Sequence, residues 1–231
     1  MSGVFITGTD TGVGKTLVAA ALLEGLKAQG VRAVGMKPVA AGCKLVDGAW
    51  ANEDVARLRA ASGVEAPPPA LVNPYLLRDA VAPHIAAERE GRRIEIAPIV
   101  EAYRQLAQLA EWVVVEGVGG FKVPLNERED TADMAAALGL PVILVVGMRL
   151  GCLNHALLAT EAIGARGLRP IGWVANQIAP SMQGFIENRQ ALQAGLKIPC
   201  LGILPWLPNF GASEIAKNLD VRGVLASVAA R

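Results

Sequence analysis

Six short apolar runs recur along the chain: VFIT at 4–7, RAVGM at 32–36, WVVVE at 112–116, VILVV at 142–146, IGWVAN at 171–176 and CLGIL at 200–204. They are continuous rather than alternating, so each strand they form must be covered on both faces. Between the first two lies TLVAAALLEGLKAQG, rich in Ala and Leu and stopped by Gly30, which reads as a helix of about four turns. Strand, helix and strand repeated in this way build a mostly parallel sheet with helices on both faces. With 231 residues, 52% of them hydrophobic, the chain can bury one large core. No repeat of fixed period and no linker interrupts it, so 1–231 is expected to be a single α/β domain.

Two regions break the rhythm. The stretch 40–83 carries VDG, PPP and NPY punctuation around a short charged helix, NEDVARLRAAS, and reads as loops gathered at one edge of the sheet, with 67–69 as an exposed, semi-rigid turn. After Pro205, WLPNFGASEIAKNLD is a turn-rich stretch ahead of a final helix. Twenty-two basic and 21 acidic residues are scattered to a net charge of +1, which leaves no electrostatic footprint for a nucleic acid or an anionic membrane. The longest apolar stretch, PVILVVGM, is too short to span a bilayer, and no basic leader precedes the first strand, so a cytoplasmic protein acting on small molecules is expected. Cys43, Cys152 and Cys200 have neither an even count nor C-x-x-C spacing and read as reduced, structural thiols.

In a parallel sheet, ligands gather at the carboxyl ends of the strands. The first strand ends in GTDTGVGKT, Gly8 to Thr16. The strict phosphate-loop pattern asks for glycine where Thr9 stands, and Gly8 is one residue too early. The physical requirements are nonetheless met: Gly8, Gly12 and Gly14 allow a tight wrap, Lys15 can neutralise phosphate, and the Thr16 hydroxyl can ligate Mg²⁺ at a helix start. Lys37, Glu116 and Asn176 end three further runs and should face the same rim. A carboxylate directly after WVVV is costly to bury unpaired, which makes Glu116 a candidate cation ligand. Asp54 sits in the first turn of a short helix behind Asn52, where capping alone would also explain it. Lys37 precedes Pro38, so its backbone is held extended, opposite the phosphate loop. His84 and His155 read as packed or capping residues. Gly151, Cys152, Leu153 and Asn154 start a helix whose amides could receive a carboxylate.

Taken in order, GTDTGVGKT, MKPVAAG, NEDV, NPY, PHIAA, VVVEGVGG, LPVILVVGMRLGCLNH, GWVANQ and GILPWLP resemble the dethiobiotin synthetases, ATP- and Mg²⁺-dependent cyclo-ligases of biotin synthesis. The resemblance runs to about residue 207 and implies a P-loop NTPase-like fold. It implies a reaction in which 7,8-diaminopelargonate and CO2 form a carbamate, ATP phosphorylates it, and the second amine closes a ureido ring. By the same resemblance, Gly12, Val13, Gly14, Lys15, Thr16 and Leu17 cradle the nucleotide phosphates, with Gly117, Val118 and Gly119 beside them. Thr16, Asp54 and Glu116 surround Mg²⁺. Lys37 and Lys15 are the catalytic lysines, the first on the carbamate and the transferring phosphoryl group, the second along the phosphates. Asn176, Gln177, Pro205, Trp206 and Leu207 match the purine-binding stretch. Ala41, with Gly151, Cys152, Leu153 and Asn154, falls on the substrate cleft, which in the family is completed across a homodimer.

Three positions depart from that pattern. Ala41 stands where relatives place a hydroxyl, Gln177 where an Asp is common, and Gly12 where some relatives carry an acid. A nucleotide switch of the partition kind uses a similar loop but carries a signature lysine where this chain has Asp10. Another amide ligase or phosphotransferase on the same fold is the remaining alternative, since fold alone does not set chemistry.

Overall fold

All six apolar runs become strands of one sheet, and every pairing in it is parallel. The computed structural model describes residues 2–206 and 211–230. In chain order the strands are β1 (Ser2–Gly8), β2 (Ala33–Met36), β3 (Val39–Ala40), β4 (Lys44–Val46), β5 (Ala49–Ala51), β6 (Tyr75–Leu76), β7 (Trp112–Glu116), β8 (Val142–Met148), β9 (Pro170–Gln177) and β10 (Cys200–Leu204). The helices are α1 (Lys15–Ala28), α2 (Glu53–Ala61), α3 (Pro69–Val72), α4 (Pro83–Arg89), α5 (Ile96–Leu109), α6 (Thr131–Leu138), α7 (Cys152–Ala165), α8 (Phe185–Leu196), α9 (Ala212–Ile215) and α10 (Val221–Ala229).

The strand order is β10-β9-β8-β1-β7-β2, with β1 in the middle. Successive residues of a strand point to opposite faces, and the core divides accordingly. Val4, Ile6 and Val114 pack with α1, α2 and α10, whereas Phe5, Val113 and Val115 pack with α5 and α6. Leu144, Val146 and Trp173 meet α7 and α8. In α1, Val18, Leu22, Leu23 and Leu26 are almost fully buried, and each is worth about 1.5–3 kcal/mol of transfer free energy. Gly30, at φ 77°, follows the end of α1 in the left-handed region that only glycine enters freely.

The chain leaves β1 for β2 on one side, inserts β7 between them, and then crosses to β8 on the other side. That reversal opens a crevice at the carboxyl end of β1. Register decides what lines it: Met36 lies beside Val115 and Ile6 beside Glu116, so Lys37 emerges level with Glu116.

The stretch 40–83 is more ordered than a set of loops. Asp47 and Gly48, both at positive φ, turn β4 into β5 as an antiparallel hairpin, and β3 pairs with β6. The VDG signal was a hairpin turn as well as punctuation. The proposed turn at 67–69 is only partly exposed: Pro67 is buried, and Pro69 opens α3. The three cysteines are free, Cys43 and Cys152 buried and Cys200 half-buried, and burial pushes the Cys43 thiol up. Among the described residues, no helix is long and apolar enough to cross a membrane.

Candidate active site

The turn after β1 is held from three sides. The Thr9 amide donates to Val145 O at 3.0 Å, the Gly147 amide to Thr9 Oγ1 at 3.4 Å, and Asn176 Nδ2 to Val13 O at 2.8 Å. Gly12 and Gly14 take φ values of 74° and 92°. A Cβ on Gly14 would fall 2.2 Å from Asn176 Nδ2, so both conformation and space demand glycine there. The off-register glycine spacing is therefore immaterial, because the positions that need glycine have it. Gly14 caps α1 without a side-chain hydrogen bond, which leaves the helix start ready for an anion.

Four functional side chains converge at this point. Glu116 is 1% exposed, and its Oε1 accepts from Thr16 Oγ1 at 2.8 Å and from Lys37 Nζ. Lys37, 5% exposed, also lies 3.2 Å from Asp54 Oδ2. Asp54 thus does more than cap: Asn52 Oδ1 accepts from the amides of Asp54 and Val55, and this fixes the first turn of α2 so that the Asp54 carboxylate meets Lys37. Burial by itself would lower Lys37, but the Glu116 and Asp54 carboxylates outweigh it and hold the ammonium above the ordinary lysine range. Burial, reinforced by Asp54, pushes Glu116 up against the pull of Lys37 and Thr16. One ammonium is shared by two carboxylates, and the cluster is left one positive charge short.

Lys15 is buried beside it. Its Nζ donates to Asp10 O at 2.9 Å, and burial, followed by repulsion from Lys37, lowers it to about 8. The Asp10 carboxylate accepts from the Thr11 amide at 2.7 Å and pairs with Arg149, contacts that hold its pKa down.

Lys15 and the cluster around Lys37 border a cavity of about 700 Å³. Gly12, Gly14, Lys15, Thr16, Leu17, Lys37, Ala41, Asp54, Glu116, Val118 and Gly119 line it. Val13 and Gly117 are buried just behind it. Asn176 supports the loop from outside the cavity wall, and Gln177 Nε2 donates to Pro180 O at 3.0 Å. Pro205 and Trp206 are exposed, and Leu207 lies outside the described residues. Gly151, Cys152, Leu153 and Asn154 do start α7 as expected, but they do not line this cavity. The Cys152 amide donates to Arg149 O at 3.0 Å and so is already used. His84 and His155 are half-buried and likewise off the wall, with Nδ1 of His84 buried and without a hydrogen-bond partner among the described residues.

Sequence reasoning missed Ala80, Val81, Ala82 and Val123, which line the cavity beside Pro83 of the PHIAA motif. These residues carry no chemical signature and are brought in by the path of the chain alone. It also missed Arg57, although the three-residue spacing from Asp54 puts both on neighbouring turns of α2.

The donors near Glu116 suit a hard cation. Thr16 Oγ1, Asp54 and Glu116 offer oxygen only, and Glu116 Oε2 is buried with no hydrogen-bond partner among the described residues. An orphaned carboxylate oxygen in the interior is costly unless something positive completes it.

Residues 2–214 match a family model described as an AAA domain. The ATP-dependent dethiobiotin synthetase BioD of Aromatoleum aromaticum is 52% identical over 221 residues, covering 95% of this chain and 97% of that protein. The protein of the same name from Xanthomonas campestris pv. campestris is 49% identical over 215 residues, covering 93% and 96%. Among solved structures, the septum site-determining protein MinD complexed with Mg-ADP from Pyrococcus horikoshii superposes with a TM-score of 0.63 at 18% identity, over 99% of this chain and 97% of that one. The MinC:MinD cell division protein complex of Aquifex aeolicus gives 0.61 at 13% identity, over 98% and 96%. The structural likenesses establish the fold, one α/β domain around a parallel six-stranded sheet, and at such identities they establish the fold alone.

Proposed function

The chain belongs to the ATP-dependent dethiobiotin synthetases, ligases of biotin synthesis, and on that premise we propose that it forms the ureido ring of dethiobiotin from 7,8-diaminopelargonate and CO2, releasing ADP and phosphate. The observation that carries this reading is Lys37, buried between Glu116 and Asp54 at a cavity that also holds Lys15 and Thr16. A nucleotide switch on the same fold has no evident use for that ammonium.

In the first step an amine nitrogen bonds to the carbon of CO2 and gives up a proton, leaving a carbamate. A carbamate oxygen then attacks the γ-phosphorus, the bond to ADP breaks, and a carbamoyl-phosphate-type mixed anhydride forms. Finally the second amine attacks the carbamoyl carbon, loses a proton and expels phosphate, which closes the ring. Each step places negative charge on a new oxygen, so the protein's task is position and electrostatics. The Lys37 ammonium meets the carbamate and the phosphoryl oxygens, and Lys15 turns from Asp10 O to the phosphates. The amides at the start of α1 hold the remaining phosphate oxygens. Thr16, Asp54 and Glu116 are the residues that would hold Mg²⁺, which when bound would supply neutralisation of phosphate charge.

Asn176, Gln177, Pro205, Trp206 and Leu207 take the base in this reading. Gly151, Leu153 and Asn154 take the substrate carboxylate from a second copy. A homodimer is supported by Leu150, Leu157, Leu158 and Ile186, exposed apolar side chains on or beside α7 and α8. Ala41 offers no hydroxyl to the substrate, and the polar group beside it is the Asn52 amide, donating to Ala41 O at 3.4 Å. The reaction is assigned to the cytoplasm, where ATP is supplied.

The test is phosphate release with ATP and Mg²⁺, with and without 7,8-diaminopelargonate, in bicarbonate and in CO2-depleted buffer. Release that needs both diamine and CO2, with dethiobiotin as product, is expected. Release indifferent to the diamine would remove the ligase reading and leave an ATPase.

A further inference from the structure

Three cations line the main cavity, and two are already engaged: Lys37 by Glu116 and Asp54, and Lys15 by Asp10 O. The third is Arg57, one turn beyond Asp54 on α2. Among the described residues its ion pair is with Glu53, at 2.7 Å, and both side chains are more than half exposed. An exposed i,i+4 pair of this kind is worth a few tenths of a kcal/mol, so the guanidinium can be drawn elsewhere at little cost.

Position adds a second argument. Arg57 also lines a neighbouring cavity of about 360 Å³, bordered by Leu17, Ala20, Glu24, Ala60, Ala61 and Ala212. Leu17 and Arg57 are the residues common to both walls. In a phosphate loop, the amides around the Lys-Thr pair cradle the phosphates nearer the sugar, and the Lys reaches the outer ones. Leu17 follows Thr16 directly, so the partition between the two cavities stands where a polyphosphate would leave the loop towards its nucleoside. A guanidinium there stays charged at any working pH and presents a fork that matches two phosphate oxygens.

We propose that Arg57 is a nucleotide-binding residue, its guanidinium leaving Glu53 to close over the inner phosphates at the partition it shares with Leu17. Across the cavity-lining residues, Lys15, Lys37 and Arg57 give three positive charges against two negative ones from Asp54 and Glu116. Without Arg57 the lining side chains sum to zero, and the charge of the polyanion is left to the α1 amides and to Mg²⁺. Glu53 holds the free arginine at the rim and so sets how readily it closes.

The inference rests on the nucleotide occupying this cavity, and the experiment reads that separately. ADP binding with Mg²⁺ is measured by calorimetry for wild type, Lys15→Ala, Arg57→Ala, Arg57→Gln, Arg57→Lys and Glu53→Gln, alongside the KM values for ATP and for 7,8-diaminopelargonate. Arg57→Ala and Arg57→Gln are expected to weaken ADP about tenfold and raise the KM for ATP alike, with kcat and the KM for the diamine unchanged. Arg57→Lys should recover part of the loss, and Glu53→Gln should tighten ADP. Because the Arg57 side chain is exposed, melting curves should match wild type, and the Lys and Gln variants carry the result if Ala does not fold. Unchanged ADP affinity in folded Arg57 variants overturns the proposal, as does a rise confined to the KM for the diamine, which would assign Arg57 to the substrate carboxylate. If wild type binds ADP, Lys15→Ala does not, and no dethiobiotin forms, the ligase reading fails while the reading of Arg57 stands or falls on ADP alone.

Discussion

Lys37 is the residue on which the site turns. Its amide donates to Val72 O at 2.8 Å, its carbonyl accepts from Asn73 Nδ2, and Pro38 holds the next peptide extended, so the backbone is pinned on both sides. The side chain therefore points one way, into the gap between Glu116 and Asp54. Lys37→Ala is expected to reduce turnover about 10²–10³-fold, the scale of removing one preorganised charge from a phosphoryl-transfer site. Stripping one partner from a buried pair costs about 3–5 kcal/mol when the other stays charged. Glu116 avoids part of that cost by taking a proton, because burial already pushes its pKa up. Dethiobiotin formation and a circular-dichroism melt check both halves: a folded Lys37→Ala enzyme with wild-type turnover would refute the role given to this lysine.

At the level of elements, caps decide where helices begin and so where side chains point. The sequence N-E-D was legible as a capped helix start, but only the meeting with β2 and β7 turned Asp54 from a capping residue into part of the site. A second cap lies off the cavity wall, with neither Asp130 nor Asp133 among the lining residues. Asp130 accepts from the amides of Ala132 and Asp133, while the Asp133 carboxylate accepts from the Asp130 amide at 2.9 Å, a reciprocal box at the start of α6 that Arg166 braces. The bond from the Asp130 amide, then Arg166, holds Asp133 below its usual value. A depressed carboxylate adds stability that is complete above its unfolded pKa, near 3.8, and is lost as pH falls through the folded value. Asp133→Asn should therefore melt lower than wild type at pH 7, by about 1 kcal/mol, and the gap should close below pH 4. A difference that persists undiminished at pH 3 would contradict this assignment.

For the whole molecule, the open crevice and the clustered charges mean that ligand binding and stability are linked. Mg²⁺ with ADP at about 100 times its dissociation constant should stabilise the fold by about 2.7 kcal/mol, or about 5–10 °C in melting temperature for a chain of this size. The shift should shrink when EDTA removes the metal and vanish in Lys15→Ala. A full shift in EDTA would argue against Thr16, Asp54 and Glu116 as cation ligands. The continuous apolar runs and the GTDTGVGKT turn determined the sheet, the first helix and the phosphate loop, because strands covered on both faces and glycines at left-handed positions leave their mark in local composition. The rim positions of Lys37, Glu116 and Asn176 followed from their places at strand ends. Tertiary structure alone decided the strand order that puts β1 between β7 and β8, the register that sets Lys37 level with Glu116, and the wall formed by 80–83. It also decided that Asp54 faces Lys37 and that Arg57 stands between two cavities. Those outcomes depend on contacts between residues far apart in the chain, which local periodicity does not encode.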